Sequence, residues 1–235
     1  MDIIHLLTFQ LIAHLLTDFN FIPKEKALEN YTIVERNYLK WHIVVVFAIS
    51  WLLSFQLDFI FCSIILALSH LVINGFNNYV NKYAKLRKYT FFSSQFLHIL
   101  IIVSIVVLYY NFFETNTIFI PKINIKYLLL IAGLLACTKP SNVLIKAIFN
   151  FYDIKISDNN ELQNAGKLIG IIERFLVITF IVLNQFEAVG FLIAAKSILR
   201  YKDDSTLKTE YVLIGTMLSF GIAIIFGVLI KYNVF

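Results

Sequence analysis

The sequence predicts an all-α, polytopic integral membrane helical bundle of seven or eight membrane segments, one of them short or re-entrant. Three observations carry that expectation. The 235 residues are 59% hydrophobic and only 15% charged, where soluble domains run at roughly 45–50% and about 25%. Mean hydropathy is +0.78. Several apolar runs approach the ~20 residues that a helix needs to cross the hydrocarbon core.

The first apolar segment covers 3–22. Met1 and Asp2 carry no basic n-region and no small-residue cleavage site follows, so the segment reads as retained and not as a signal peptide. Further spans are expected at 41–56, 59–78, 91–113, 127–148, 167–187, 188–200 and 211–231. The second and seventh are short, and the seventh reads as a half-span or re-entrant helix. The fifth is interrupted at Lys139-Pro140, where proline breaks the hydrogen-bond ladder and Ser141 and Asn142 can help satisfy the freed groups. Residues 152–166, with Asp153, Asp158, Asn159, Asn160 and Glu161, read as a solvated polar loop. The acids lack the spacing of an EF-hand. The whole chain, 1–235, reads as a single transmembrane domain.

The net charge of +5 does not point to nucleic acid, because the bases lie mainly in short loops between apolar segments and read as a topology signal. Loop 23–40 carries Lys24, Lys26, Arg36 and Lys40, and loop 79–90 carries Lys82, Lys85, Arg87 and Lys88 with no acid. Placing both inside puts the N-terminus outside. Trp41, Tyr79, Tyr127 and Tyr211 fall at expected span ends, as an aromatic belt requires. Cys62 and Cys137 sit in separate apolar segments and read as packing residues, with no disulfide expected. Gly166 with Gly170, and Gly215 with Ser219, are small-residue pairs suited to close helix packing.

The functional signal is a set of ionisable groups inside apolar segments, where each is costly and calls for a partner or a task. His14 with Asp18, then His42, His70 and His98, occupy four different spans, and Glu173 with Arg174 joins from a fifth. With the topology above, all of them and Lys196 fall in the same half of the membrane. Helical spacing adds stripes: Gln10, His14 and Asp18 on the first span, His70, Asn74 and Asn77 on the third, Gln95 and His98 on the fourth. Imidazole plus carboxylate suits zinc or another divalent transition ion such as manganese or iron. The expected metal ligands are His14, Asp18, His42, His70 and His98. The same groups also suit an interhelical hydrogen-bond network or a proton path. Glu173 and Arg174 point about 100° apart on a helix, so each should meet a different span. Glu173 could join the histidines, and Arg174 could meet Asp18 or a lipid phosphate. Lys196 and Arg200, four apart, suit anionic headgroups.

The stretch His14-Leu-Leu-Thr-Asp18-Phe19 resembles the opening motif of a bacterial inner-membrane family known only as domain of unknown function 3307. Gly166-Lys-Leu-Ile-Gly170-Ile-Ile-Glu173-Arg174 resembles its later signature, as do Ala195-Lys196-Ser197-Ile-Leu-Arg200-Tyr201 and Glu210-Tyr211-Val-Leu-Ile-Gly215-Thr216. The resemblance implies a multi-pass protein of the bacterial cytoplasmic membrane, distantly similar to membrane-bound metal-dependent hydrolases. This chain departs from the pattern: Ile22 replaces a glutamine, Asn74 and Asn77 replace an acid and a lysine, and Ser94 replaces an acid before Gln95 and His98. Asparagine can ligate but cannot act as a base near neutrality.

The leading functional reading is therefore a buried His/Asp/Glu site of the kind that holds a divalent metal. If catalytic, it would be a membrane metal-dependent hydrolase, or a degenerate form of one, with Asp18 and Glu173 as catalytic groups and Glu173 as proton shuttle. A membrane scaffold or partner-binding subunit, and a small transporter or proton pathway, stand as alternatives. The bilayer is the expected partner, with a cytoplasmic protein or a second copy as further partners and no nucleic acid.

Overall fold

The computed structural model describes residues 2–21, 33–113, 123–154, 160–200 and 206–234. In order these form α1 (Ile3–Leu15), a π-helical turn (Leu16–Asn20), α2 (Ile33–Ser54), α3 (Ile60–Val80), α4 (Ala84–Arg87), α5 (Thr90–Phe112), α6 (Ile125–Ala136), α7 (Lys139–Phe151), α8 (Asn160–Val182), α9 (Phe186–Arg200) and α10 (Thr206–Val234).

The all-α class holds, but seven or eight spans are not supported. Among the described residues four stretches are long and apolar enough to cross a membrane: Ile3–Asn20, Ile60–Val80, Thr90–Phe112 and Tyr211–Tyr232. A fifth is added if α6 and α7, bent by 44°, form one broken span. Charge and length explain the rest. The apolar part of α2 is only Leu39–Ser54. The α8 sequence includes Lys167, Glu173 and Arg174, and α9 has 15 residues with Glu187 and Lys196 among them. The polar loop expected at 152–166 is also shorter than expected. Asp158 and residues 155–159 lie outside the described residues, and α8 already starts at Asn160, a residue type that helix starts favour.

The chain forms two compact units, Met1–Leu128 and Leu129–Phe235. In the first, α1, α3 and α5 share a core of Leu6, Phe59, Cys62, Leu66, Ile102, Ile105, Val106 and Tyr109, and α2 packs against α1 and α3. The α2–α3 turn places Phe55 at φ 56, a conformation that costs a non-glycine residue about 1–2 kcal/mol. The Phe55 ring packs edge-on against Phe9 at 5.1 Å, and Ser54 Oγ accepts from Gln56 N at 3.2 Å, which holds the turn. Outward-facing Phe61, Val72 and Phe96 are exposed, as a surface set in lipid requires.

In the second unit, α8 and α10 pack through Val177, Ile181, Phe220 and Ala223, with Val189 of α9. The two helices approach closely at Gly227, where an added Cβ would lie 2.8 Å from Ile181 Cδ1 and 3.2 Å from its Cβ. The glycine pairs read from the sequence behave differently. Nothing lies within 4 Å of a Cβ added at Gly166, while one at Gly170 would lie 3.2 Å from the Arg174 guanidinium. Both cysteines are buried and free.

Candidate metal centre

Each long helix of the first unit delivers one imidazole to one level of the bundle. His14 comes from α1, His42 from α2, His70 from α3 and His98 from α5, all buried. The carboxylate comes from Asp18 in the π-helical turn that ends α1. That turn closes with Phe21 N donating to Leu16 O at 3.1 Å, an i→i+5 bond, and π insertions of this kind are common at functional sites. Thr17 Oγ1 donates to His14 O at 3.2 Å and to Asp18 Oδ1 at 3.5 Å, tying the turn to the carboxylate it carries.

Asp18 is the hub. Its Oδ2 lies 3.6 Å from His14 Nδ1 and 3.2 Å from His98 Nδ1, and its Oδ1 lies 3.5 Å from both His42 Nε2 and His70 Nε2. The carboxylate is 9% exposed, so water does little to screen it. The His70 and His98 rings stack at 4.0 Å, and His14 sits 5.3 Å from His98 and 5.7 Å from His70.

The outer hydrogen bonds of two rings fix where their protons lie. His70 Nδ1 is 2.9 Å from Leu66 O, which can only accept, so Nδ1 carries the hydrogen. His14 Nε2 is 3.1 Å from the acceptor Gln95 Oε1, so Nε2 carries it there. In the neutral rings, His14 Nδ1 and His70 Nε2 therefore point bare lone pairs at a carboxylate. Neither nitrogen forms a hydrogen bond among the described residues, and neither does His98 Nδ1. Lone pairs facing an anion repel unless a positive charge lies between them.

The donor set meets that need. One atom each from His14, Asp18, His70 and His98 lies within 4.8 Å of the others. Ligands held about 2.0–2.2 Å from a tetrahedral ion are ~3.4 Å apart, so only a small contraction is required. His42, expected as a further ligand, is outside this group, with its Nε2 3.5 Å from Asp18 Oδ1. The His70–Leu66 and His14–Gln95 bonds are the kind that fix tautomer and ring orientation in metal sites. Gln95→Leu is accordingly expected to weaken metal affinity by about 10–100-fold with the fold unchanged, as measured by titration against a competing chelator. Asn74, on the expected stripe, is half-buried and belongs to no part of the cluster described above.

His14 and His70 also line a cavity of about 10 Å³, together with Gln10, Thr17 and Ser50 among others. It is near the limit for one water. Gln10 and Ser50 close on each other there: Ser50 Oγ donates to Gln10 Oε1 at 2.7 Å, and Gln10 Nε2 donates to Ser50 O at 2.9 Å. Ser50 Oγ also lies 3.3 Å from Ser63 Oγ. The serines were not legible as site residues, since small hydroxyls are common in apolar helices.

Glu173, Arg174 and Lys196 lie in the second unit. The Glu173 carboxylate pairs with the Lys196 ammonium. Arg174 is 1% exposed and closes the break between α6 and α7. Its Nε donates to Cys137 O at 2.7 Å, and its Nη2 donates to Thr138 O at 3.4 Å and to Asn142 Oδ1 at 2.7 Å. Its Nη1 donates to Ser219 Oγ of α10 at 2.8 Å. The break leaves the Cys137 and Thr138 carbonyls between the two helices, and the guanidinium donates to both. Ser141 Oγ donates to Ala136 O at 2.7 Å and completes the cap.

A family model described as Protein of unknown function (DUF3307) matches residues 6–127, about half the chain and all five residues of the cluster. The resemblance carried by the opening motif is thereby confirmed; the motifs at 166–174, 195–201 and 210–216 lie outside the matched stretch. No curated protein and no solved structure matches the chain.

Proposed function

The chain belongs to this family of unknown function, and we propose that its first unit is a membrane-embedded site for a divalent transition ion, held by His14, Asp18, His70 and His98. One observation carries the reading: two imidazole lone pairs, with their N–H groups committed elsewhere, face a single buried carboxylate. Protonating the rings instead would gather several positive charges around one acid in an apolar bundle, at a high desolvation cost. One bound cation satisfies all the donors together. The absence of thiolate among them fits zinc, manganese, iron or cobalt.

In this reading His42 orients Asp18, Gln95 orients His14, and the Leu66 carbonyl orients His70. An ion bound here would supply Lewis acidity and could lower the pKa of a water beside it. The hydrolase reading needs a proton carrier, and the carboxylate assigned to that task, Glu173, is engaged by Lys196. Lysine pairing favours a structural role for Glu173 over a shuttling one.

Cobalt titration of the detergent-purified protein tests the proposal. One equivalent is expected to develop ligand-field absorption in the visible, absent in His70→Ala. Saturation without such absorption, or equal absorption in His70→Ala, would remove the site and leave a polar network that holds the bundle together.

A further inference from the structure

We propose that the loop joining α3 to α5 is a binding site for anionic phospholipid headgroups. This inference is independent of the metal site. Both flanking helices are long and apolar enough to cross a membrane, so the loop between them sits where the chain leaves the hydrocarbon. Within it, Lys82, Lys85, Arg87 and Lys88 fall in seven residues, and the sequence holds no acid anywhere from 59 to 113. Lys82, Lys85 and Arg87 are exposed and form no ion pair with any described residue. Basic residues at a bilayer surface attract anionic lipid by about 1 kcal/mol each, roughly a fivefold preference.

The loop is also built and not merely charged. Thr90 Oγ1 donates to Arg87 O at 2.7 Å and to Asn81 Oδ1 at 2.9 Å, which clamps the end of α3 to the start of α5. Tyr79 and Tyr83 join their hydroxyls at 3.2 Å. Lys88 lies 5.7 Å from the Tyr89 ring centre. The three tyrosines are 57%, 51% and 49% exposed, amphipathic rings at the level where headgroups meet acyl chains. A clamped backbone presents the cations with little ordering left to do on binding. A lipid phosphate is the matching ligand, because the surrounding aromatic and apolar surface suits its glycerol and upper chains.

The test uses the full chain in phosphatidylcholine bilayers carrying spin-labelled phosphatidylglycerol or phosphatidylcholine, reading the motionally restricted fraction. The wild type is expected to prefer the anionic label several-fold at low salt and to lose that preference near 1 M salt. The variant K82Q/K85Q/R87Q/K88Q is expected to lose most of it. The control K126Q/K167Q/K231Q, which removes three charges elsewhere, is expected to keep it. If the quadruple variant does not fold by circular dichroism, K82Q/K85Q and R87Q/K88Q are each expected to lose about half. Equal selectivity in wild type and loop variants, or equal loss in the control, overturns the site. Displacement of the lipid label by millimolar inorganic phosphate would assign the loop to a free anion and overturn the lipid assignment.

Discussion

Asp18→Asn is expected to abolish metal binding while leaving the fold intact. Asp18 is the one acid in the cluster, and each of four imidazole nitrogens lies within 3.6 Å of its oxygens. Asparagine keeps the shape but removes the charge that offsets the ion. Its amide NH2 takes the place of one carboxylate oxygen and can donate to the lone pair facing that position, His70 Nε2 at Oδ1 or His14 Nδ1 at Oδ2, so the variant without metal gains a hydrogen bond. The loss of affinity should exceed the roughly 10–100-fold cost of losing an outer partner, and metal-free Asp18→Asn should unfold at a temperature no lower than metal-free wild type. Metal competition and thermal unfolding measure the two halves. Retained affinity would show that the carboxylate is not a ligand.

Arg174→Leu is expected to be the most destabilising single change in the second unit. Leucine removes four hydrogen bonds and leaves the carbonyls of Cys137 and Thr138 and the amide oxygen of Asn142 without this donor. Each orphaned buried group costs on the order of 1–3 kcal/mol, and more for partners of a charge. Removing the buried guanidinium recovers part of this through its own desolvation. The net loss is expected to be about 3–5 kcal/mol. Arg174→Lys should be intermediate, because an ammonium cannot span Cys137, Asn142 and Ser219 with a planar fork. Hydrogen exchange at residues 133–145 should quicken in both variants. An Arg174→Leu protein as stable as wild type would mean that desolvation of the guanidinium outweighs its bonds.

The cluster was legible because an ionisable residue in an apolar run is conspicuous, and because the topology read from the loop bases puts His14, His42, His70 and His98 in the same half of the membrane. The inclusion of Gln10 and Gln95 followed from helical spacing. The π-helical turn was not legible: His14 and Asp18 are four apart and read as a plain α-helical stripe, while the wider turn depends on how Thr17 and Asn20 bond locally. Span counting failed for a different reason. Apolar runs in α2, α8 and α9 look like membrane segments until their length and their charges at Lys167, Glu173, Arg174 and Lys196 are weighed. The partners of Arg174 were hidden because they are mostly backbone carbonyls at a proline break, which no side-chain pattern announces. Sequence reasoning located the break at Lys139-Pro140 but assigned its repair to Ser141 and Asn142. Ser141 does bond a freed carbonyl, whereas Asn142 holds the guanidinium that bonds two others.

X-ray absorption at the metal edge of the purified protein is the most direct measurement of whether these side chains share one ion. About one ion per chain, with three imidazole scatterers and a carboxylate oxygen near 2.0–2.2 Å, is the result expected. A chain that takes up no zinc, manganese, iron or cobalt, or an ion without imidazole scattering, would contradict it.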